Sequence, residues 1–326
     1  MKAVLHDVYG PPEVLRVEET DRPVPAEGEV LVRVHAAGVD PGVWHLTSGL
    51  PYLIRAAGFG LRAPKQRIRG LAVSGQVDTV GPGVTRFRPG DEVYGIAAGA
   101  FAEYACAKAD RLAHRPANLT HAQSAAVPVS GPTALQAVRD AGRLKPGQRV
   151  LVIGAAGGVG TFAVQIAKAL GAHVTGVCST GKADLIRSLG ADEVIDHTRT
   201  DVTDGGRRYD LVLDIAGNRP LALLRRTLTL DGTLVIVGGE NGGRWTGGSG
   251  RQVRALLLSL FLRQRLRGLM ASEHHADLDT LTGLIESGEV TPVLDRTYPL
   301  AEAPQAVNDL MAGRSRGKLV IQVRGD

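Results

Sequence analysis

Arg149-Val-Leu-Val-Ile-Gly-Ala-Ala-Gly-Gly-Val-Gly160 decides the reading of this chain. Residues 149–153 have strand character and run into a glycine-rich turn. Thr161-Phe-Ala-Val-Gln-Ile-Ala-Lys-Ala-Leu170 follows, with Val159, Phe162, Ala163, Ile166, Ala167 and Leu170 on one helical face. Strand, glycine turn and helix is the geometry that sets a helix N-terminus against a pyrophosphate. The three positions of the dinucleotide fingerprint fall on Ala155, Gly157 and Gly160, so alanine stands for the first glycine. Ala155 keeps the turn tight, Gly157 lets backbone approach the phosphates, and Gly160 lets the helix pack closely on the strand. Gly158 and Val159 complete the phosphate-binding turn.

The second strand is Ala172-His-Val-Thr-Gly-Val-Cys178. NAD-binding sites place an Asp or Glu about 20 residues past the loop, on the ribose hydroxyls. Here Ser179 and Thr180 stand there, then Gly181 and Lys182. Two hydroxyls and an ammonium suit a 2′-phosphate, so the reading is NADPH over NADH. Asp184 is expected to start a helix that points away. Lys182 as a solvated helix-start lysine is the alternative. His197, after Glu193-Val-Ile-Asp196, is a second candidate for the same phosphate.

The 326 residues suffice for two domains, and 44% apolar with 22% charged residues is ordinary for a globular protein. The net charge of +5 is carried by scattered arginines, without the aromatic-and-basic stripe of a nucleic-acid binder. Two cysteines, Cys106 and Cys178, form no disulfide framework and fit a reducing compartment. Met1–Asp7 reads as a strand and lacks a signal peptide's apolar core, which predicts a cytoplasmic protein. The longest apolar run, Ala255–Leu262, is too short to span a bilayer and reads as a helix on the sheet.

The fold class expected is α/β. Residues 1–125 show short strands (Lys2–Leu5, Glu29–Val34, Ala72–Val80, Glu92–Gly95, Ala100–Ala107, Arg111–His114) between turns such as Gly81-Pro-Gly83, which argues a β-barrel-like domain. Residues 50–69, rich in Arg and Lys, read as a loop. Across 126–272, strands and helices alternate, predicting a doubly wound parallel sheet with Arg265–Ser272 as its edge strand. The glycine-rich segment 238–250 reads as a mobile loop. Residues 273–326 return to the first domain through a last strand, Lys318–Val323.

These parts occur in a familiar order: Ala36-Ala-Gly-Val-Asp40, Val80-Gly-Pro-Gly-Val84, Phe87-Arg-Pro-Gly-Asp91, Gly99-Ala-Phe-Ala-Glu-Tyr104, Pro128-Val-Ser-Gly-Pro-Thr-Ala134, the turn at 154–160, Leu189-Gly-Ala-Asp192 and Gly317-Lys-Leu-Val320. Across nearly its whole length the chain resembles the medium-chain dehydrogenase/reductase superfamily, and within it the zinc-free quinone oxidoreductase (zeta-crystallin-like) branch. The resemblance implies a GroES-like domain built from 1–125 and 273–326, with a Rossmann NADPH-binding domain, 126–272, inserted. It also implies a homodimer joined through edge strands. Zinc relatives carry Cys where Asp40 sits and His-Glu where Leu71-Ala72 stand, and this chain has no C-x-x-C, so no metal is expected.

Without a Lewis acid, the natural hydride acceptors are quinones, enones or enals, whose conjugation spreads the developing charge. The resemblance puts the substrate against the loop Asp40–Tyr52. Tyr52 is the first candidate for proton donor or oxyanion partner, with a packed aromatic as the alternative. His45 is a candidate proton relay. Asp40 stands where many quinone reductases carry Asn, and is read chiefly as a helix N-cap before Pro41. Thr133 is implied as a contact to the nicotinamide side, or a simple cap. Ala216, Gly217, Gly238 and Gly239 fall at the C-terminal ends of parallel strands, where ligands bind. Lys318 is a further cofactor candidate. Two other functions fit the fold: an alcohol or aldehyde dehydrogenase, and a non-enzymatic nucleotide-binding protein of crystallin or RNA-associating type.

Overall fold

A computed structural model describes residues 1–217, 219–239 and 243–325. From the N-terminus, β1 (Lys2–Leu5) and β2 (Arg16–Glu19) precede a long β3 (Glu29–Val39). Then come α1 (Pro41–Ser48) and the short α2 (Tyr52–Ile54), followed by β4 (Ala72–Val80), β5 (Glu92–Ile96), β6 (Tyr104–Lys108), β7 (Leu112–His114), α3 (His121–Ala125) and α4 (Ser130–Leu135). Strands and helices next alternate: β8 (Arg149–Ile153), α5 (Gly158–Ala169), β9 (His173–Cys178), α6 (Ala183–Ser188), β10 (Glu193–Asp196), β11 (Tyr209–Asp214), α7 (Leu221–Arg226), β12 (Leu228–Ile236), α8 (Ser249–Ser259) and β13 (Arg265–Gly268). The chain closes with α9 (His275–Glu286), β14 (Leu294–Pro299), α10 (Ala303–Met311) and β15 (Lys318–Gln322). The chain divides into two compact units, residues 1–132 with 273–288 and 292–326, and residues 133–272 with 289–291.

The first unit is organised by a seven-stranded sheet ordered β14-β15-β3-β4-β5-β7, with β6 also on β3. Val30, Val32 and Val34 recur at every second position of β3 and are buried with Val73, Val77, Val93, Phe101, Leu319 and Ile321, as the two-residue period of a half-buried strand requires. β3 runs on to Val39, past its apolar pattern, because Ala36–Gly38 gains partners on both sides. Ala37 faces Ile321 of β15 and Val73 of β4. Ala100–Glu103 does not belong to β6. Phe101 O accepts from Val4 N at 2.8 Å, so this stretch lies on β1 instead. β2 carries no strand signal in the sequence, since all four of its residues are exposed and show no alternation. The expected loop at 50–69 opens as α2 and a wider helical turn over residues 55–59, which Gly58 ends at φ 108°.

The second unit is a six-stranded parallel sheet ordered β10-β9-β8-β11-β12-β13. Val150, Leu151, Val152 and Ile153 of β8 are all buried. The sheet is covered on both faces, so its strands read as continuous apolar runs rather than alternations. The edge strand is shorter than expected and, among the described residues, pairs only with β12, at Leu234↔Leu266 and its neighbours. The apolar run from 255 continues α8 and packs on β13 through the buried Ala255, but Leu256, Leu257, Leu260 and Phe261 are exposed. Of the glycine-rich segment 238–250, residues 240–242 lie outside the described residues.

Candidate functional site

In the second unit the site is built at the C-terminal ends of the parallel strands. Gly154 ends β8 with φ +87°, and α5 begins at Gly158 with Gly157 as N-cap and no side chain capping it. The first-turn N–H groups of a helix have no intrahelical acceptor. Here those of Gly158, Val159 and Gly160 are offered without a side-chain cap, an anion site by dipole and geometry. A Cβ on Gly160 would stand 2.2 Å from Gly154 O and 2.7 Å from the Ala155 backbone, so only glycine lets α5 start this close to the strand end. Ala155 is wholly buried and its N–H donates to Val177 O at 3.1 Å. Ala155 therefore shapes the turn and supplies no donor to a phosphate.

The other strand ends behave similarly. Ala216 N donates to Ile153 O at 3.3 Å, Gly217 N to Asp214 Oδ1 at 3.2 Å, and Gly238 N to Asp214 O at 3.2 Å. The carboxylate of the fully buried Asp214 is in turn paired with the Arg251 guanidinium. Ala216, Gly217 and Gly238 thus wall the strand ends with their N–H groups already used. Gly239 lies directly against the Gly248 backbone: a Cβ on Gly239 would stand only 2.6 Å from the Gly248 Cα.

Beyond β9 the structure corrects the expectation that no carboxylate lies beside Ser179 and Thr180. The parallel register of β10 on β9 sets Asp196 opposite Cys178, and the Thr180 hydroxyl donates to Asp196. Thr198 adds its backbone N–H at 3.0 Å and its hydroxyl at 2.7 Å. The Thr180 and Thr198 hydroxyls hold the Asp196 carboxyl down to about 2. Thr180 is therefore spent on Asp196, and the lone pairs of Asp196 are largely satisfied inside the loop. Lys182 closes the short helical turn Thr180–Lys182, and Asp184 is exposed on α6 with Arg187 at 2.7 Å. His197 is exposed, its backbone N–H on Cys178 O at 3.0 Å. Thr133 lies inside α4 rather than at its start, half-buried.

In the first unit, Asp40 does occupy the N-cap position of α1, with Pro41 following, but its side chain makes no capping hydrogen bond. It forms a buried ion pair with Lys318, the two side chains each 3% exposed. Lys318 Nζ also donates to Val39 O at 3.3 Å. This removes Lys318 from the cofactor candidates, because its ammonium is consumed within the first unit, and it makes Asp40 an acceptor rather than a proton donor. The pair is invisible to sequence reasoning because it arises from the register of β15 on β3, Leu319↔Val39, across 278 positions. His45, on α1, has Nδ1 at 2.7 Å from Leu50 O. A carbonyl only accepts, so that nitrogen carries the proton. Tyr52 opens α2, half-buried, with the Arg55 guanidinium 5.0 Å from its ring centre.

These residues do not suit a zinc ion. Among the described residues no group of three or more His, Cys, Asp or Glu is placed to hold a metal. The carboxylate of Asp40 already has an ammonium, and burial, with Glu29 second, pushes the Cys106 thiol up to about 11, which keeps it protonated and a poor ligand.

Several known proteins share this architecture. A family described as "Alcohol dehydrogenase GroES-like domain" matches residues 26–117, and one described as "Zinc-binding dehydrogenase" matches residues 189–321. The mouse protein "NAD(P)H oxidoreductase RTN4IP1, mitochondrial" is 33% identical over 99% of this chain and 89% of its own length. The quinone oxidoreductase of Coxiella burnetii superposes with a TM-score of 0.87 at 30% identity, over 99% of both chains. A mycobacterial protein, Rv1454c, solved in complex with NADPH, has a TM-score of 0.83 at 28% identity, over 99% of this chain and 100% of that one.

The ion pair gives a test. Lys318→Met strands a buried carboxylate and should cost about 3–5 kcal/mol of unfolding free energy, whereas Lys318→Met with Asp40→Leu should recover most of it. Urea denaturation of both variants measures the difference, and equal losses would contradict the pairing.

Proposed function

Because the chain belongs to the medium-chain dehydrogenase/reductase superfamily, in its quinone oxidoreductase branch, and is an NAD(P)H-dependent oxidoreductase, we propose that it is an NADPH-dependent, metal-free reductase of quinones or activated alkenes. The observation that carries this reading is the uncapped start of α5, pressed onto Gly154–Ala155 by the missing Cβ of Gly160. The N–H groups of Gly158, Val159 and Gly160 hold the pyrophosphate. Ser179 and Lys182 read the 2′-phosphate, with His197 beside them. Asp196 fixes the loop through Thr180 and Thr198 rather than reading the ribose.

When bound, reduced nicotinamide supplies a hydride. The protein's part is to receive the charge that then develops on the acceptor oxygen. The Tyr52 hydroxyl donates a hydrogen bond or a proton to it. His45, with Nδ1–H tied to Leu50 O, orients the loop between α1 and α2. The Asp40–Lys318 pair supports the metal-free reading, since a conjugated acceptor needs no Lewis acid and the carboxylate has its cation built in. Two reduced thiols, Cys106 and Cys178, support a reducing compartment such as the cytoplasm. The exposed Leu256, Leu257, Leu260 and Phe261 beside the open edge of β13 support a homodimer made there.

The purified protein should oxidise NADPH with quinone or enone acceptors and prefer it to NADH. Lys182→Ala should weaken NADPH about tenfold while leaving NADH unchanged, as loss of one charge-assisted contact implies. Calorimetry with both coenzymes decides this, and no heat with either would end the reading. Tyr52→Phe should lower kcat about a hundredfold with NADPH affinity intact, and unchanged turnover would remove Tyr52 from the chemistry. Sedimentation should give a dimer, dissociated by Phe261→Glu, and a wild-type monomer would refute the edge-strand association.

A further inference from the structure

Burying a cation without a counter-charge is strongly unfavourable, so a fold that keeps one usually has a reason. Arg69 is such a group. It lies at the end of the segment leading to β4, is 3% exposed, and its Nε reaches no hydrogen-bond partner. Nearby groups are committed elsewhere. Asp7 is held by Arg67 at 2.6 Å and by Arg16 at 2.9 Å. The Tyr9 hydroxyl donates to the carbonyls of Phe59 at 2.9 Å and Gly60 at 2.8 Å. His6 is fully buried with both ring nitrogens unpartnered. Burial first, and the charge of Arg69 second, push His6 down to about 4, so it is neutral at pH 7 and offers no compensation. Burial lowers Arg69 itself to about 10, which leaves it cationic at the same pH.

Arg69 lines a cavity of about 230 Å³ within the first unit. Its other walls include Leu46 of α1, Gly58 and Phe59 from the turn after α2, and Lys65 and Gln66. No carboxylate contributes to the lining, which combines two cations and an amide with apolar surface. A guanidinium fork matches the oxygens of a carboxylate or a phosphate, and Leu46 and Phe59 suit a short organic remainder. The volume is below the usual range for drug-sized ligands, roughly 300–1,000 Å³, which limits the occupant to a small molecule.

We infer that this cavity is a binding site for a small oxyanion, a carboxylate or a phosphate ester, with Arg69 as its buried counter-charge and Lys65 as a second, exposed cation. The site belongs wholly to the first unit and needs neither coenzyme nor hydride transfer, so it stands apart from the reductase reading.

Calorimetric titration of the full chain without coenzyme tests it, with benzoate in one arm and inorganic phosphate in the other. At least one anion should bind saturably, about tenfold or more weakly in Arg69→Met, as loss of a charged hydrogen-bonding group implies, and measurably more weakly in Lys65→Ala. Tighter benzoate assigns a carboxylate ligand, and tighter phosphate a phosphate ester. Phosphate held instead by α5 would be indifferent to Arg69→Met. Arg69→Met should melt at or above the wild-type temperature, because it removes an uncompensated charge. No binding by either anion, binding unchanged in Arg69→Met, or a marked fall in that variant's melting temperature would each overturn the site.

Discussion

The buried pair of Lys318 and Asp40 is the constraint on which the first unit turns. It joins the last strand to the residue that starts α1, and it fixes the register of β15 on β3, since a shift of one position would turn Lys318 to the other face of the strand. Two charges this deeply buried are stable only together. Helix α1, which carries His45 and leads on to Tyr52, therefore starts from a fixed point. The carboxylate that precedes α1 thus has its counter-charge supplied by an ammonium from the chain's last strand.

The second unit rests on a steric condition. α5 can begin against Gly154–Ala155 only where a Cβ is missing, at Gly160. That approach concentrates uncapped N–H groups at one point of the sheet's C-terminal edge. The surrounding strand ends contribute shape rather than donors. Asp214 gathers the N–H groups of Gly217 and Gly238 and is neutralised by Arg251, whereas the first-turn N–H groups of α5 have no side-chain cap.

Much of this is legible in the sequence because it is local. The run 149–170 carries strand, turn and helix signals in consecutive residues, and the alternation from 149 to 236 fixes a parallel sheet without knowledge of any contact. What escapes depends on residues far apart in the chain. Asp196 reaches Thr180 only because β10 pairs with β9 in one register. Lys318 resembles a cofactor ligand because a lysine beside a returning strand has no visible partner until Asp40 is placed opposite it. The stretch 50–69 lacks periodicity, so nothing in it announces that the turn after α2 walls a cavity, or that Arg69 is buried rather than solvated. Asp40 does stand at the N-cap that the following proline suggests, yet position alone does not say where a side chain turns.

The first unit is assembled from segments at both ends of the chain, 1–132, 273–288 and 292–326. A ribosome delivers residues in order, N-terminal domains generally folding first. Here Asp40 emerges long before Lys318, and Ala36–Val39 of the longest strand waits for β15 with one edge open. The second unit is nearly contiguous and is complete once residue 291 has been made, so during synthesis the inserted unit can finish first. The N-terminal segment must meanwhile remain soluble with an unpaired carboxylate and an unsatisfied strand edge, the condition under which nascent chains engage chaperones.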